Sequence, residues 1–270
     1  MKRTLFILFT LSLALSVIAK GQAQVVFFAD FEDDSKDAIP NQDVNDVANW
    51  DPDNAGQVWA IGAFPNGTDG LKQTVEGCGI SGNTPLPGVD DFSDGIIQLE
   101  MSWGDDDSWG IVFRQTAVDK GYLVVFGGVE TPAVILARLD DGCGLVGQCL
   151  SDAGCENNPG KTLAQEPHGL GAVDQGNAVS YFGRIEAQGD TIKIWYLKLD
   201  DIGDPDNPDL GEPTIEVQDA THASGAVGVW HESQGNCLVD NVLVTTAVGF
   251  AVDANGKLAT TWAGIKESTR

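Results

Sequence analysis

Short apolar runs, each about one strand long, constrain this fold more than any other feature of the sequence. After residue 23 they alternate with Gly, Asp, Asn and Pro, and long stretches of helical periodicity are scarce. The run GIIQLEMSW at 95–103 alternates apolar side chains with Gln98, Glu100 and Ser102, so we expect one buried face and one solvated face. Many short strands separated by turn residues predict an all-β, two-sheet antiparallel sandwich.

Two hairpins are predicted in the middle of the chain. In WGIVFRQTAVDKGYLVVF, alternation places Trp109, Ile111 and Phe113 on one face and Val112 and Arg114 on the other. In SYFGRIEAQGDTIKIWYL, a Gly-Asp turn joins two further alternating runs. These strands supply enough aliphatic and aromatic side chains for one sizeable two-layer core.

The first residues have the pattern of a secretory signal peptide. A basic MKR precedes the apolar run TLFILFTLSLALSVIA, and GQA then provides small residues before a cleavage after Ala23. The run is shorter than the roughly 20 apolar residues that a membrane span requires. We therefore expect an exported protein, extracellular, periplasmic or held at the cell surface, with no stable membrane span after cleavage.

Three segments follow from these patterns. Residues 1–23 are the predicted signal peptide, 24–247 the sandwich domain, and 248–270 a short C-terminal extension. In the extension, Leu258, Trp262 and Ile265 recur at helical spacing. We interpret it as a terminal element that covers an edge of the sandwich, and a docking or sorting tail is the alternative.

The chain is strongly acidic, with 40 Asp and Glu against 15 Lys and Arg and a formal net charge of −25. Loss of residues 1–23, which carry Lys2, Arg3, Lys20 and no acid, moves this charge to −28. Such a chain is repelled by nucleic acid and by anionic membrane surfaces. The acid-rich stretches 105–107 and 201–213 are interpreted as solvated loops, because the second lacks the ligand order of an EF-hand.

Five cysteines raise the question of disulfides, which export favours. Because the number is odd, one thiol stays unpaired or pairs between chains. A metal cluster is the alternative, but the spacing does not fit a zinc knuckle and His is scarce. The disulfide candidates are Cys78, Cys143, Cys149, Cys155 and Cys237.

Four motifs occur in a characteristic order: FADFED, GIVFRQTAVDKGYLVVFGG, RIEAQGDTIKIWY and GAVGVWHESQGNCLVDNVLV. Together they resemble the concanavalin A-like lectin/glucanase superfamily over roughly residues 25 to 246. The nearest resemblance is to LamG-like and thrombospondin C-terminal-like jelly rolls and to bacterial 3-keto-disaccharide hydrolase-type domains. The resemblance implies a jelly roll whose first and last strands lie side by side.

This resemblance implies two candidate sites. Many relatives hold a structural calcium where the first and last strands meet, which here implies Asp30, Glu32 and Asp240 as oxygen ligands. The alternative is that Asp240 satisfies backbone groups at a strand end.

Relatives also carry their ligand on the concave sheet. The residues that this implies as ligand contacts are Arg114, Tyr122, Trp230 and His231. The alternative is that Tyr122 and Trp230 belong to the core and that Arg114 pairs with an acid.

The catalytic chemistry of the superfamily is not visible in the sequence. The Glu-x-Asp-x-x-Glu motif of its glucanase branch is missing from the sequence, and so are a G-x-S-x-G elbow and an H-E-x-x-H helix. We therefore predict a secreted, non-catalytic module that binds glycan or another extracellular ligand, with calcium as a structural stabiliser. A sugar-processing hydrolase or lyase of the 3-keto-disaccharide type and a structural or adhesive envelope protein are the alternatives.

Overall fold

The computed structural model describes residues 24–31, 59–74, 77–86, 88–117, 120–129, 131–139, 162–205, 207–233 and 235–246. The described part is built from strands and contains no α-helix. The strands are β1 (Val25–Ala29), β2 (Trp59–Ala63), β3 (Asp69–Gln73), β4 (Gly77–Pro85), β5 (Gly95–Ser102), β6 (Ser108–Ala117), β7 (Lys120–Gly127), β8 (Ala133–Leu139), β9 (Thr162–Pro167), β10 (Ser180–Gln188), β11 (Thr191–Lys198), β12 (Ile215–Gln218), β13 (Ala226–Ser233) and β14 (Leu238–Thr245).

These strands form two antiparallel sheets, which confirms the predicted sandwich. The first sheet has the order β12-β11-β10-β5-β14-β3-β2, and β1 also pairs with β14. The second sheet has the order β4-β13-β6-β7-β8-β9. The first and last strands thus lie side by side, as expected, with Ala29 opposite Val242. Among the described residues, no helix is long and apolar enough to cross a membrane.

The core lies between the two sheets and follows the predicted alternation. Ile97, Leu99 and Met101 from the first sheet meet Ile111 and Phe113 from the second. The polar face of β5 is different from the expectation, because Gln98, Glu100 and Ser102 are buried rather than solvated. β5 is a central strand, so its outer side chains are surrounded by neighbours on both sides.

Gln98 and Ser102 on this outer face have hydrogen-bond partners. Nη1 of Arg184 donates to Oε1 of Gln98 at 3.2 Å, and Oγ of Ser102 donates to Oδ1 of Asn177 at 2.7 Å. Such contacts compensate the loss of water, so burial of the polar face is compatible with a stable sheet.

In contrast to the first sheet, the second sheet carries apolar side chains on its outer face. A separate cluster of buried side chains lies there, on the side of the sheet that faces away from the core. Its members are Val112, Leu123, Val125, Ala133, Ile135, Leu139 and Trp230. Both faces of this sheet are therefore buried, whereas simple alternation predicts one solvated face.

Several predictions fall on residues outside the described ranges. These are the signal peptide 1–23, the extension 248–270, Glu32 and the three cysteines of the 143–155 loop. Cys78 lies in β4, but its side chain is not described. Cys237 is a buried thiol that accepts a hydrogen bond from the Gly104 amide at 3.1 Å.

Candidate functional site

A bulge in β6 aims Arg114 away from the sheet and towards the loops at one end of the sandwich. The register of β6 with β7 shifts after Phe113, and Arg114 has φ +49°. A positive φ is unfavourable for a non-glycine residue and persists where surrounding contacts enforce it. Here those contacts come from the buried guanidinium, since the residue is only 1% exposed.

The guanidinium of Arg114 donates to the backbone of three separate loops. Nε donates to the carbonyl of Ser93 at 2.8 Å, Nη1 to that of His222 at 3.3 Å, and Nη2 to that of Gly189 at 2.9 Å. Nη2 also lies 3.4 Å from Oδ1 of Asp94, which accepts the Gly189 amide at 2.8 Å. The expected acid partner of Arg114 is thus present.

Tyr122 lies beside Arg114. Its ring is in the core, and its hydroxyl contacts the loop that precedes β13. The ring stacks on Phe113 with 5.2 Å between centroids. The hydroxyl donates to Oδ1 of Asp219 at 2.6 Å and accepts the His222 amide at 3.1 Å. Burial, with the Asp219 hydrogen bond as the next cause, raises the pKa of Tyr122 to about 12.

The carboxylate of Asp219 contacts Tyr122, Arg138 and Thr221. Oδ2 accepts Nη1 of Arg138 at 2.9 Å, and Oδ1 accepts the Thr221 amide at 2.9 Å. Burial alone would raise the pKa of Asp219, but the hydrogen bonds from Tyr122, Thr221 and Arg138 outweigh it and lower the pKa to about 2. Arg138 also donates to Oγ1 of Thr221 at 3.0 Å.

We call this group the loop-end cluster. Its members come from β6, β7 and β8 and from the loops that precede β5 and β13. They are Asp94, Arg114, Tyr122, Arg138, Asp219, Thr221 and His222.

The Tyr122–Asp219 pair at the centre of the loop-end cluster is not tuned for proton transfer near neutral pH. Tyr122 stays neutral and Asp219 stays ionised at neutral pH, given pKa values of about 12 and about 2. A general acid or base works best with a pKa near the working pH. The arrangement can therefore hydrogen-bond a ligand through its rim, where Thr221 and Asp94 are exposed, but it does not resemble an acid–base pair.

The structure brings together only two of the four predicted ligand residues, Arg114 and Tyr122. Trp230 and His231 are consecutive in β13, so they point to opposite faces of the sheet. Trp230 lies in the outer apolar cluster and is 2% exposed. A single concave surface that carries all four side chains is therefore not formed.

His231 faces the core at the other end of the sandwich. Its Nε2 is 3.4 Å from Nε2 of Gln73, and its ring meets Trp109 edge to face with 6.0 Å between centroids. Burial lowers the pKa of His231 to about 3. The ring is neutral at all physiological pH values, which fits a structural role in the core.

The acids implied as calcium ligands lie where β1 and β14 meet. Asp240 is 1% exposed; its Oδ2 accepts Oγ1 of Thr68 at 2.8 Å and its Oδ1 accepts the Asn241 amide at 2.7 Å. Asp30 follows Ala29, the partner of Val242, so it lies beside the Asp240–Asn241 segment.

Two other acids enter the question of a cation. Glu100 is the cross-strand partner of Asp240, and it adds a second buried carboxylate to that part of the first sheet. In the partly exposed loop between β5 and β6, at the end of the sandwich opposite the loop-end cluster, the carboxylates of Asp105, Asp106 and Asp107 lie within 4.8 Å of one another. This agrees with their interpretation as a solvated loop.

Arg138, Asp219 and Thr221 were not predicted as site residues. A local signal was present, because an Asp followed two residues later by Thr in a loop favours an Asx turn. Asn66 and Thr68 form the same kind of turn, with 2.9 Å from the Thr68 amide to Oδ1 of Asn66. The signal identifies the turn, but it does not reveal that Tyr122 and Arg138 meet it.

Comparison with known proteins assigns no family to this chain. No protein-family model matches the chain, and no curated protein matches it. Similar solved structures include the globular domain of T. cruzi calreticulin (10% identity, 91% of this chain, 95% of that chain, TM-score 0.45). A legume lectin-like domain from Entamoeba histolytica is 14% identical over 78% of this chain and 95% of that chain, with a TM-score of 0.45.

A third similar structure is a Bacillus subtilis protein of unknown function with a galectin-like fold. It is 12% identical over 84% of this chain and 97% of that chain, with a TM-score of 0.46. At these identities the three structures assign neither a ligand nor an activity to this chain.

Proposed function

We propose that this chain is a non-catalytic binding module that takes a neutral glycan at the loop-end cluster. The observation that carries the proposal is the fixed Tyr122–Asp219–Arg138 arrangement, in which hydrogen bonds hold the charges in place and Tyr122 and Asp219 keep their protonation states near neutral pH. Preorganised polar groups lower the entropic cost of binding a ligand.

The charges of the molecule favour a neutral ligand over an anionic one. The loop-end cluster pairs Arg138 with Asp219, and Asp94 and Asp190 are exposed at the same end. The chain as a whole carries a formal charge of −25. An acidic polysaccharide would be repelled at long range, whereas the hydroxyl groups of a neutral sugar can both donate to carboxylates and accept from a guanidinium.

The surroundings of this binding are proposed to be extracellular or periplasmic. The support is the signal-like sequence of residues 1–23. Export also favours disulfides. Because the thiol of Cys237 is buried against the Gly104 amide, the proposed pairs lie among Cys78, Cys143, Cys149 and Cys155.

A glycan panel tests the proposed function. We expect the mature protein to bind at least one neutral glycan in calorimetry and to release no sugar from it. Thr221→Val and Arg138→Ala, which alter the rim of the loop-end cluster, are expected to weaken binding by about tenfold or more, the effect of about 1.4 kcal/mol. Lys193→Ala, on the outer face of the first sheet, is the control and should bind normally.

Two outcomes would contradict this proposal. If the folded protein binds no glycan on the panel, the structural or adhesive alternative replaces it. If the protein releases free sugar from a 3-keto-glycoside, the protein is an enzyme of the alternative hydrolase or lyase class.

We also propose a structural calcium ion beside Asp30 and Asp240, with Glu32 as a further ligand. Calcium prefers six to eight oxygen ligands, so carbonyls or water would complete the set. The support is that β1 and β14 pair directly and that Asp240 is buried with carboxylate oxygens, each of which has two lone pairs.

Thermal unfolding tests the calcium proposal. Calcium is expected to raise Tm relative to EDTA, because an ion that binds only the folded state stabilises it. Asp240→Asn should abolish the shift, while Asp190→Asn, an exposed acid in the β10–β11 turn, should keep it. An equal Tm in calcium and EDTA for the unaltered protein would remove the ion from the proposal.

A further inference from the structure

We propose that Arg114 is a positioning residue that holds the loop with Asp219, Thr221 and His222 against Tyr122, although the ligand does not touch Arg114. The inference rests on the proposed function only for its consequence for binding. The positioning itself follows from contacts within the chain.

Three backbone carbonyls on different loops accept from this one side chain. The loops are those before β5, between β10 and β11, and before β13, contacted at Ser93, Gly189 and His222 respectively. They are separated widely in the sequence, so no local hydrogen bond can hold them together. A planar guanidinium with several donors suits this task, whereas an ammonium group offers a single charged point.

Further contacts tie the same loops to one another around Arg114. Oδ1 of Asp94 accepts the Gly189 amide, and the carbonyl of Asp190 accepts the Asp219 amide at 2.8 Å. The last of the loops also passes very close to β6. A Cβ at Gly225 would lie 2.6 Å from the carbonyl carbon of Arg114 and 2.5 Å from the carbonyl oxygen of Gln115.

The loop that Arg114 holds carries the hydrogen-bond partners of the Tyr122 hydroxyl. The His222 carbonyl accepts from Arg114 while the His222 amide donates to the Tyr122 hydroxyl. Asp219, three residues earlier, accepts from the same hydroxyl. Loss of the Arg114 contacts therefore releases both partners of Tyr122 together, and with them the Asp219–Arg138 pair.

Hydrogen exchange is the experiment that tests this inference, in Arg114→Met and Arg114→Lys. Both variants are expected to accelerate exchange at the amides of Gly189, Thr221 and His222 by about tenfold or more, because the loops open locally. Exchange in β7 should stay slow. Arg184→Met is the matched control, since it removes another buried guanidinium, one that contacts Gln98 and Glu186 on the outer face of the first sheet.

Tyrosine titration gives a second reading that general destabilisation would not reproduce. The chain has three tyrosines, Tyr122, Tyr181 and Tyr196, and burial raises the pKa of each above 10.0. In folded Arg114→Met, one tyrosine is expected to ionise closer to pH 10, because the loss of the Asp219 hydrogen bond lowers the pKa of Tyr122 by more than the loss of the Arg114 charge raises it. Arg184→Met should titrate like the unaltered protein.

The outcomes separate this inference from the proposed function. If a glycan binds the unaltered protein, Arg114→Lys should weaken that binding by about tenfold. If none binds, the proposed function fails, and exchange and titration still decide the role of Arg114. Unchanged exchange at Gly189 and His222 in Arg114→Met, or an equal increase in Arg184→Met, would overturn the inference.

A variant of an exposed partner covers the case in which Arg114→Met does not fold. Asp94→Ala removes the acceptor of the Gly189 amide, and its side chain is 51% exposed, so the fold should tolerate it. We expect faster exchange at Gly189 than in the unaltered protein. If exchange at Gly189 does not change in this variant, that result would also count against contacts that hold the loops at Ser93, Gly189 and His222 together.

Discussion

At the scale of single residues, burial decides what each polar side chain can do. The family resemblance implied His231 as a ligand contact, yet the residue is fully buried and burial lowers its pKa to about 3. Alternation requires Trp230 and His231 to face opposite ways, but it does not say which of them faces the core. The structure assigns His231 to the core and Trp230 to the outer face.

The buried imidazole predicts a loss of stability in mild acid. Its pKa is lower in the folded protein, about 3, than the 6.5 of an unperturbed histidine, so the unfolded chain binds the proton more tightly. The stabilising contribution is complete above pH 6.5 and is lost as the pH falls towards 3. Between about pH 7 and pH 4 the expected loss is about 3 kcal/mol.

Urea unfolding at several pH values measures this loss, with His231→Gln as the comparison. The variant should lose less stability over the same interval, because Gln cannot be protonated. Part of the slope should remain, since burial also lowers the pKa of His168. Parallel profiles for the two proteins would show that His231 does not cause the acid sensitivity.

At the scale of elements, the pairing of β6 with β13 places Trp230 on the outer apolar face. Trp230 is the cross-strand partner of Gly110, and a Cβ at Gly110 would lie 2.8 Å from Cε3 of Trp230. The same Cβ would lie 2.5 Å from the carbonyl oxygen of Val124. The small residue thus lets the Trp230 ring pack directly on the strand.

Gly110→Ala is therefore expected to be destabilising by about 1–3 kcal/mol, the usual range for overpacking. Chemical denaturation gives the change in the free energy of unfolding. Gly176→Ala is the control, because a Cβ there would meet only the carboxylate oxygens of Asp174, at 3.7 Å. Equal stability of the two variants would mean that Trp230 can move away from Gly110 without loss.

The strands could be predicted from the sequence and the site could not, for different physical reasons. Alternation and turn residues are local, so the β10–β11 hairpin, the apolar face of β5 and the shared face of Trp109, Ile111 and Phe113 were predicted correctly, whereas the burial of the polar face of β5 was not. The loop-end cluster depends on a bulge at Arg114 and on the closure of the sandwich. These bring Asp219 to Tyr122 over a separation of 97 residues, which no local pattern encodes.

At the scale of the whole molecule, net charge is the property that reaches furthest. With 40 acids and 15 basic residues, folding brings like charges closer than they are in the unfolded chain. One described ion pair, Lys193–Glu216 at 3.5 Å, lies at the surface and stabilises little. Self-repulsion is therefore expected to lower the stability of the protein in dilute buffer.

Salt should relieve this repulsion, and it should do so without any specific site. Raising sodium chloride from about 0.01 M to about 0.15 M shortens the Debye length from about 30 Å to about 8 Å. We expect Tm to rise over that range and to change less beyond it. Calcium chloride at matched ionic strength separates screening from binding. A further rise in Tm with calcium chloride that is lost in Asp240→Asn would indicate a bound ion. Equal Tm values in the two salts would indicate screening alone. A Tm that falls with sodium chloride would contradict self-repulsion.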